Sequence, residues 1–244
     1  MGRAGFGDRV EGLHAVGAAA EAGRVRALHV DSSRSTRPEI KAIVRLVESA
    51  GGSVQQIPDV RSIAHTAAPQ GVVADCRLIP FSSLEEVAAW TEPAAVMVLD
   101  RLVDPHNVGA VVRSTVAAGV PAFVLSDRRA APLSGAAFKA AAGAFEHARV
   151  AVVGSIAEAI SHLSRLGLWT VGLDAAGERP LFGLDLLSEP VALVVGGEGG
   201  GLSRLVADRV DVRAHIPMRG PTESLNASVA AALAAFELSR SRSS

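Results

Sequence analysis

Short apolar runs alternate with amphipathic or alanine-rich stretches along most of the chain. In the later two thirds the runs are Ala95–Leu99 and then residues 122–126, 149–153, 169–173, 191–195 and 212–216. Each is about five residues of mostly Val, Leu, Ile, Phe and Ala, which predicts strands. Between and after them, the pattern predicts helices over 107–118, 134–144, 155–166, 202–209 and 226–239. Ser155 with Glu158 three positions on is a capping-box signature. Residues 174–190 carry two Pro and two Gly and predict a loop with a short turn. Strands alternating with helices imply an α/β fold on a mostly parallel sheet.

The first 77 residues follow a smaller version of the same rhythm. Leu13, Val16 and Ala20 fall on one face of a helix over 11–22. A strand over 25–30 leads into the polar loop 31–37, and Pro38 opens a second helix whose apolar face is Ile40, Ile43, Val44 and Val47. Gly51-Gly52 ends it. A strand over 54–57, a short helix over 60–66 and a strand over 72–76 complete the unit. The expected organisation is therefore a small α/β domain (1–77), a linker (78–92) with a short helix over 84–90, and a larger α/β domain (93–244).

Composition narrows the class. The chain has 244 residues, 49% of them hydrophobic, so a sizeable core is within reach. A single cysteine excludes an intrachain disulfide. The seven histidines show no metal-ligand spacing, so no metal is expected. The start, MGRAGFGDRVEG, lacks a signal-peptide core, and no apolar run approaches the roughly 20 residues of a membrane span. A cytoplasmic protein is expected. The formal net charge of −1 does not announce a nucleic-acid binder. Residues 1–77 nevertheless hold ten basic against eight acidic side chains. Arg24, Arg26, Arg34, Arg37, Lys41 and Arg45 cluster there, which is compatible with either a solvated helix face or an RNA contact.

Three predicted strands each end in a loop rich in Gly, Asn, Glu or Arg, where an open α/β sheet binds ligands. Their sequences are DPHNVGAVVRS (104–114), GGEGGGLSR (196–204) and IPMRGPTESLNASVA (216–230). In order and spacing they resemble the three motifs of the SpoU, or TrmH-like, RNA 2'-O-ribose methyltransferases of the SPOUT superfamily. The ribosomal-RNA guanosine branch is the nearest in kind. EGLHAV (11–16) and QGVVADCR (70–77) resemble the L30e-like RNA-docking domain of that branch. The glycine run fits neither alternative phosphate motif. A P-loop needs Lys-Ser/Thr after its glycines, and a dinucleotide fingerprint wants glycine where Leu202 stands.

The resemblance implies S-adenosylmethionine as methyl donor, RNA as substrate (23S rRNA above all), a homodimer and a trefoil knot at the C-terminus. It also assigns residues. Asn107, Arg113, Glu198 and Asn226 are the implied catalytic set. Gly196, Gly197, Ile216, Met218, Ser224 and Leu225 are the implied cofactor site, and Arg34 and Arg37 lie on the implied RNA surface. Read singly, Asn107 and Asn226 are equally well helix N-caps, and Ile216 and Leu225 core residues. Arg113 is too basic to be a general base and is expected to hold a phosphate and stabilise the developing alkoxide. His106 is expected in a structural or contact role, and 141–146 in packing. The same chemistry on tRNA, on a ribosomal adenosine conferring antibiotic resistance, or a non-catalytic assembly factor remain alternatives.

Overall fold

The computed structural model describes residues 5–127, 133–197 and 200–243. In chain order the first elements are β1 (Gly5–Phe6), β2 (Arg9–Glu11), α1 (Leu13–Glu21), β3 (Val25–Asp31), α2 (Pro38–Ser49), β4 (Ser53–Ile57), β5 (Val72–Cys76) and β6 (Ile79–Pro80). Next come α3 (Leu84–Ala88), β7 (Ala95–Asp100), α4 (Pro105–Ala117), β8 (Ala122–Ser126), α5 (Gly135–Ala141), β9 (Arg149–Val153) and α6 (Ile156–Arg165). The chain ends with β10 (Trp169–Leu173), β11 (Arg179–Pro180), β12 (Val191–Gly196), α7 (Arg204–Ala207), β13 (Val212–His215) and α8 (Ala227–Arg242). Two compact units divide it: Met1–Pro80 with Pro132–His147, and Phe81–Ala131 with Ala148–Ser244.

The first unit is built on a mixed four-stranded sheet in the order β2-β5-β3-β4. Only β3 and β4 run parallel there. Helix α2 buries Ile40, Ile43 and Val47, the face its spacing predicts. Residues 133–147 cluster with this unit instead of with the larger domain, against the expected boundary. Aromatic packing is the reason. Phe138 and Phe145 stack at 4.6 Å between centroids, and Phe6 meets Phe145 edge-on at 5.6 Å. Arg24 and Glu146 add a largely buried ion pair at 2.5 Å.

The second unit is a seven-stranded sheet in the order β11-β13-β10-β12-β7-β8-β9, with every neighbouring pair parallel. Strands β7 and β12 lie at its centre and are buried along their whole length. This is why they read as unbroken apolar runs. The connection β12–α7–β13 passes over β10 to reach its far side. Helix α8 then returns against α4 and the turn at Asp185–Ser188. Its last turn is held by Arg242, whose guanidinium donates to the carbonyls of Leu187, Glu189, Pro93 and Ala94 at 2.6–3.0 Å.

Several elements depart from the sequence reading. The helix expected over 60–66 is only a 3-10 turn, Val60–Ser62. The helix expected over 202–209 shrinks to α7, because Ser203 and the residues before it are held in the glycine-rich loop. Residues 134–144 stop being helical at Ala142 and Gly143, both with positive φ. Residues 174–190 contain β11, which pairs with β13. The complete reciprocal capping box is Ser83–Glu86, at the start of α3. At α6, Ser155 accepts from the Glu158 amide as expected.

Candidate functional site

A cavity of about 580 Å³ opens at the carboxyl ends of β10, β12 and β13. That is the edge where an open parallel sheet presents its loops. Its walls come from four segments: 173–175 after β10, the glycine loop after β12, Ala214 to Met218 after β13, and 223–230 at the start of α8. Gly196, Gly197, Ile216, Met218, Ser224 and Leu225 all line it. Ile216 and Leu225 are half-buried, whereas Met218 and Ser224 are exposed.

The glycine loop is shaped by contacts that side chains would forbid. A Cβ at Gly196 would land on the backbone of Gly201, and one at Gly197 on the carbonyl of Arg101. Gly197 and Gly201 form an isolated antiparallel bridge. Asp100, only 3% exposed, accepts from the Ser203 amide at 2.7 Å. Arg101, with φ of 58°, donates to the Gly201 carbonyl at 3.3 Å. Both described ends of the loop are thus packed against the end of β7 and line the cavity.

Asn226 caps α8. Its Oδ1 accepts from the Ser228 amide at 2.8 Å and the Ser228 hydroxyl at 2.6 Å. Its Nδ2 donates to Asn107 Oδ1 at 3.3 Å, joining the first and third loops across the sheet. Asn107 itself is no cap. Asp104 caps α4 by accepting from the His106 amide at 2.9 Å, Pro105 takes the first helical position, and Asn107 sits inside the first turn. His106 is likewise helical and exposed, not in a loop.

Arg113 lies on α4, exposed and outside the cavity lining. Six residues place it about 9 Å along the helix from Asn107 and roughly a third of a turn around it. Residues His106, Ala110, Arg113 and Ala117 therefore form one outward strip. Within one chain the cavity and Arg113 are not brought together. Glu198 lies outside the described residues. In the first unit Arg34 is half-buried beside Gly71, and Arg37 is exposed just before α2.

Two carboxylates at the cavity went unnoticed in the sequence. Asp174 follows β10 directly and lies 3.5 Å from Arg213, and Glu223 stands in the turn before α8. Arg213 also binds Glu178 at 2.6 Å, and its guanidinium holds that carboxyl below the usual range. A polar residue immediately after an apolar run was the available signal for Asp174. Among the described residues no group of three or more His, Cys, Asp or Glu could hold a metal, and no helix is long and apolar enough to cross a membrane.

Comparison with known proteins agrees with this geometry. Residues 94–236 match the SpoU rRNA Methylase family, and residues 9–81 match the RNA 2'-O ribose methyltransferase substrate-binding family. The chain belongs to the SpoU rRNA methylase family. It is thus a member of a family of RNA methyltransferases. The TrmH-family tRNA/rRNA methyltransferase YacO of Bacillus subtilis (strain 168) is 33% identical, over 86% of each chain. The crystal structure of the SpoU methyltransferase AviRb from Streptomyces viridochromogenes, in complex with the cofactor AdoMet, superposes with a TM-score of 0.80 at 26% identity. That match covers 97% of this chain and 90% of AviRb. The TrmH/SpoU tRNA modifying enzyme of A. aeolicus matches with a TM-score of 0.56 at 26% identity, over 66% of this chain and 81% of its own.

Proposed function

We propose that the protein transfers a methyl group from S-adenosylmethionine to a ribose 2'-hydroxyl of RNA, with a guanosine of 23S rRNA as target. The observation that carries this reading is the bond from Asn226, which lines a cavity walled by the glycine loop, to Asn107. It joins the start of α4 to the start of α8, whose residues line the cavity together with the glycine loop.

The cavity fits the donor chemically. The backbone at Gly196 and Gly197 is bare, so a flat purine can approach amides and carbonyls closely. Ile216, Met218 and Leu225 offer apolar walls for its faces. Asp174 and Glu223 set negative charge where a cationic ligand would lie. When bound, S-adenosylmethionine supplies an electrophilic methyl group on a cationic sulfonium.

The chain's own residues have to hold the ribose, fix its phosphate and stabilise the alkoxide. Asn107 and Asn226, with Glu198, orient the ribose and the arginine. Arg113 clamps the phosphate and stabilises negative charge developing on the 2'-oxygen. It does not take the proton, since a guanidinium stays charged far above neutrality.

A homodimer belongs to the same reading. Val229 and Phe236 are exposed and Leu233 half-buried along one face of α8, which packs against α4. With spacings of four and three residues they form a continuous apolar stripe. A second copy covering it would carry its Arg113 towards this cavity. The preference for rRNA rests on the first unit, since the tRNA modifying enzyme matches only two thirds of the chain. The site of action would be the cytoplasm, where these RNAs are made.

The test is labelled-methyl transfer from S-adenosylmethionine to protein-free 23S rRNA and to bulk tRNA, with Asn226→Ala as control. Incorporation into 23S rRNA, lost in the variant, is expected. Incorporation into tRNA alone would move the substrate and keep the chemistry. Loss of both cofactor binding and transfer in the wild type would leave a non-catalytic assembly factor.

A further inference from the structure

The first unit holds a second cavity, of about 330 Å³, between the turn at Ser32–Arg34 and the loop at 67–71. Ligand pockets start at about this size. Asp31, Ser33, Arg34, Arg61, Gln70 and Gly71 are among its walls. We propose that this cavity receives one unstacked nucleotide of single-stranded RNA. The proposal rests on the reading of the protein as an RNA methyltransferase. It goes further by naming the receptor and the form of RNA it takes.

The loop that forms one wall is irregular, yet it is pinned from three elements. Glu11, fully buried, accepts from the His65 amide at 2.5 Å, the Thr66 amide at 2.9 Å and the Thr66 hydroxyl at 2.6 Å. Gln70 Oε1 accepts from the Leu13 amide at 2.9 Å, at the start of α1. Lys139 Nζ donates to the Ala68 carbonyl at 2.5 Å. A buried carboxylate spent wholly on backbone and hydroxyl donors holds a shape in place. A preformed cavity loses less entropy when it is filled.

The walls also have the chemistry. With its oxygen engaged, Gln70 presents an amide NH₂ as a donor for a base edge. The stem of Arg34 lies against Gly71, and Arg34 is one of the cavity walls. Arg61 is exposed and pairs with Asp59 at 2.8 Å. Planar guanidinium groups bind phosphate through paired N–H donors and stack on bases. The nearby acids are already engaged: Asp31 accepts from the Ser33 amide and hydroxyl at 3.0 and 2.6 Å, and Asp59 holds Arg61. Arg37, Lys41 and Arg45, four residues apart, continue the positive charge along the exposed side of α2.

Two variants separate charge from cavity. Ala67→Trp fills the mouth without changing charge, and Ala67 is exposed, so folding should survive. Arg34→Ala/Arg61→Ala removes charge and leaves the space. Binding is read by fluorescence anisotropy on labelled RNAs about twelve units long, one single-stranded and one a blunt duplex. Ala67→Trp should weaken the single strand roughly tenfold, leaving the duplex and the salt dependence unchanged. The arginine pair should weaken the single strand similarly and lower the slope of log affinity against log salt by about 1, since Arg61 is already paired with Asp59.

Wild-type binding by Ala67→Trp overturns the proposal. So does equal weakening of both RNAs by the arginine pair, which would make these residues only surface charges. Methyl transfer by the wild type is measured alongside. If it methylates RNA and the variants bind like it, only the receptor falls. If it neither binds nor methylates RNA, the reading of the whole protein falls with it.

Discussion

In the proposed reading Arg113 is the assigned group that a single chain leaves apart from its cavity. It is exposed on the outward strip of α4 and is not among the residues that line the cavity. A guanidinium presents two parallel N–H donors to a phosphate, whereas an ammonium is a point charge. Arg113→Lys keeps the charge and loses the fork. Methyl transfer at saturating RNA should fall about a hundredfold, as when one donor to a developing oxyanion is lost, with cofactor affinity unchanged. Near-wild-type turnover would rule out the clamp. Cys76 is the opposite kind of residue: buried at the end of β5, its thiol pKa is pushed up to about 12 by burial. At pH 8 it should resist thiol reagents until the protein is unfolded by denaturant. Its contribution to stability should be intact below pH 9.0, the ordinary value, and erode as pH rises towards 12. Rapid labelling of the native protein would contradict that burial.

At the scale of elements, the end of β12 tolerates no side chain at Gly196 or Gly197. Gly197→Ala would drive a methyl group into the Arg101 carbonyl, so the loop must move off β7. Calorimetry should show S-adenosylmethionine affinity falling by tenfold or more, from the strain of an overpacked contact. The first unit, which does not share this loop, should keep its melting behaviour. Unchanged affinity would mean the loop is not part of the donor site. The strands of the larger unit were legible because their cause is local: β7 and β12 are buried on both faces and so are apolar throughout. The six cavity residues were legible through their motifs, which run contiguously along the chain. What the sequence hid depends on distant partners. Glu11 looked like a polar residue at a helix start, and its role emerges only with Thr66 against it. Residues 133–147 looked like one more helix of the larger domain, and their packing against the distant Phe6 was not visible in the sequence. Asn107 resembled a cap until Asp104 took that place.

For the whole molecule, the decisive question is whether one chain suffices for catalysis. The cavity, Asn226 and Asn107 are together in one protomer, but Arg113 faces outward. Val229 and Phe236 lie exposed on the neighbouring helix. Two-fold association over that stripe would make an isologous interface, in which each copy would lend its arginine to the other. Two inactive variants then repair one another. In a mixed dimer of Arg113→Ala with Asn226→Ala, one site inherits both lesions and the other inherits neither. With random exchange half of the dimers are mixed, so about a quarter of wild-type activity should return. Each variant alone should stay inactive, and Phe236→Glu, which puts charge into the stripe, should yield monomers by light scattering and abolish the repair. No recovery from fully exchanged mixed dimers would mean that each chain completes its own site, and Arg113 would then have to reach the cavity by a movement of α4 within its own protomer.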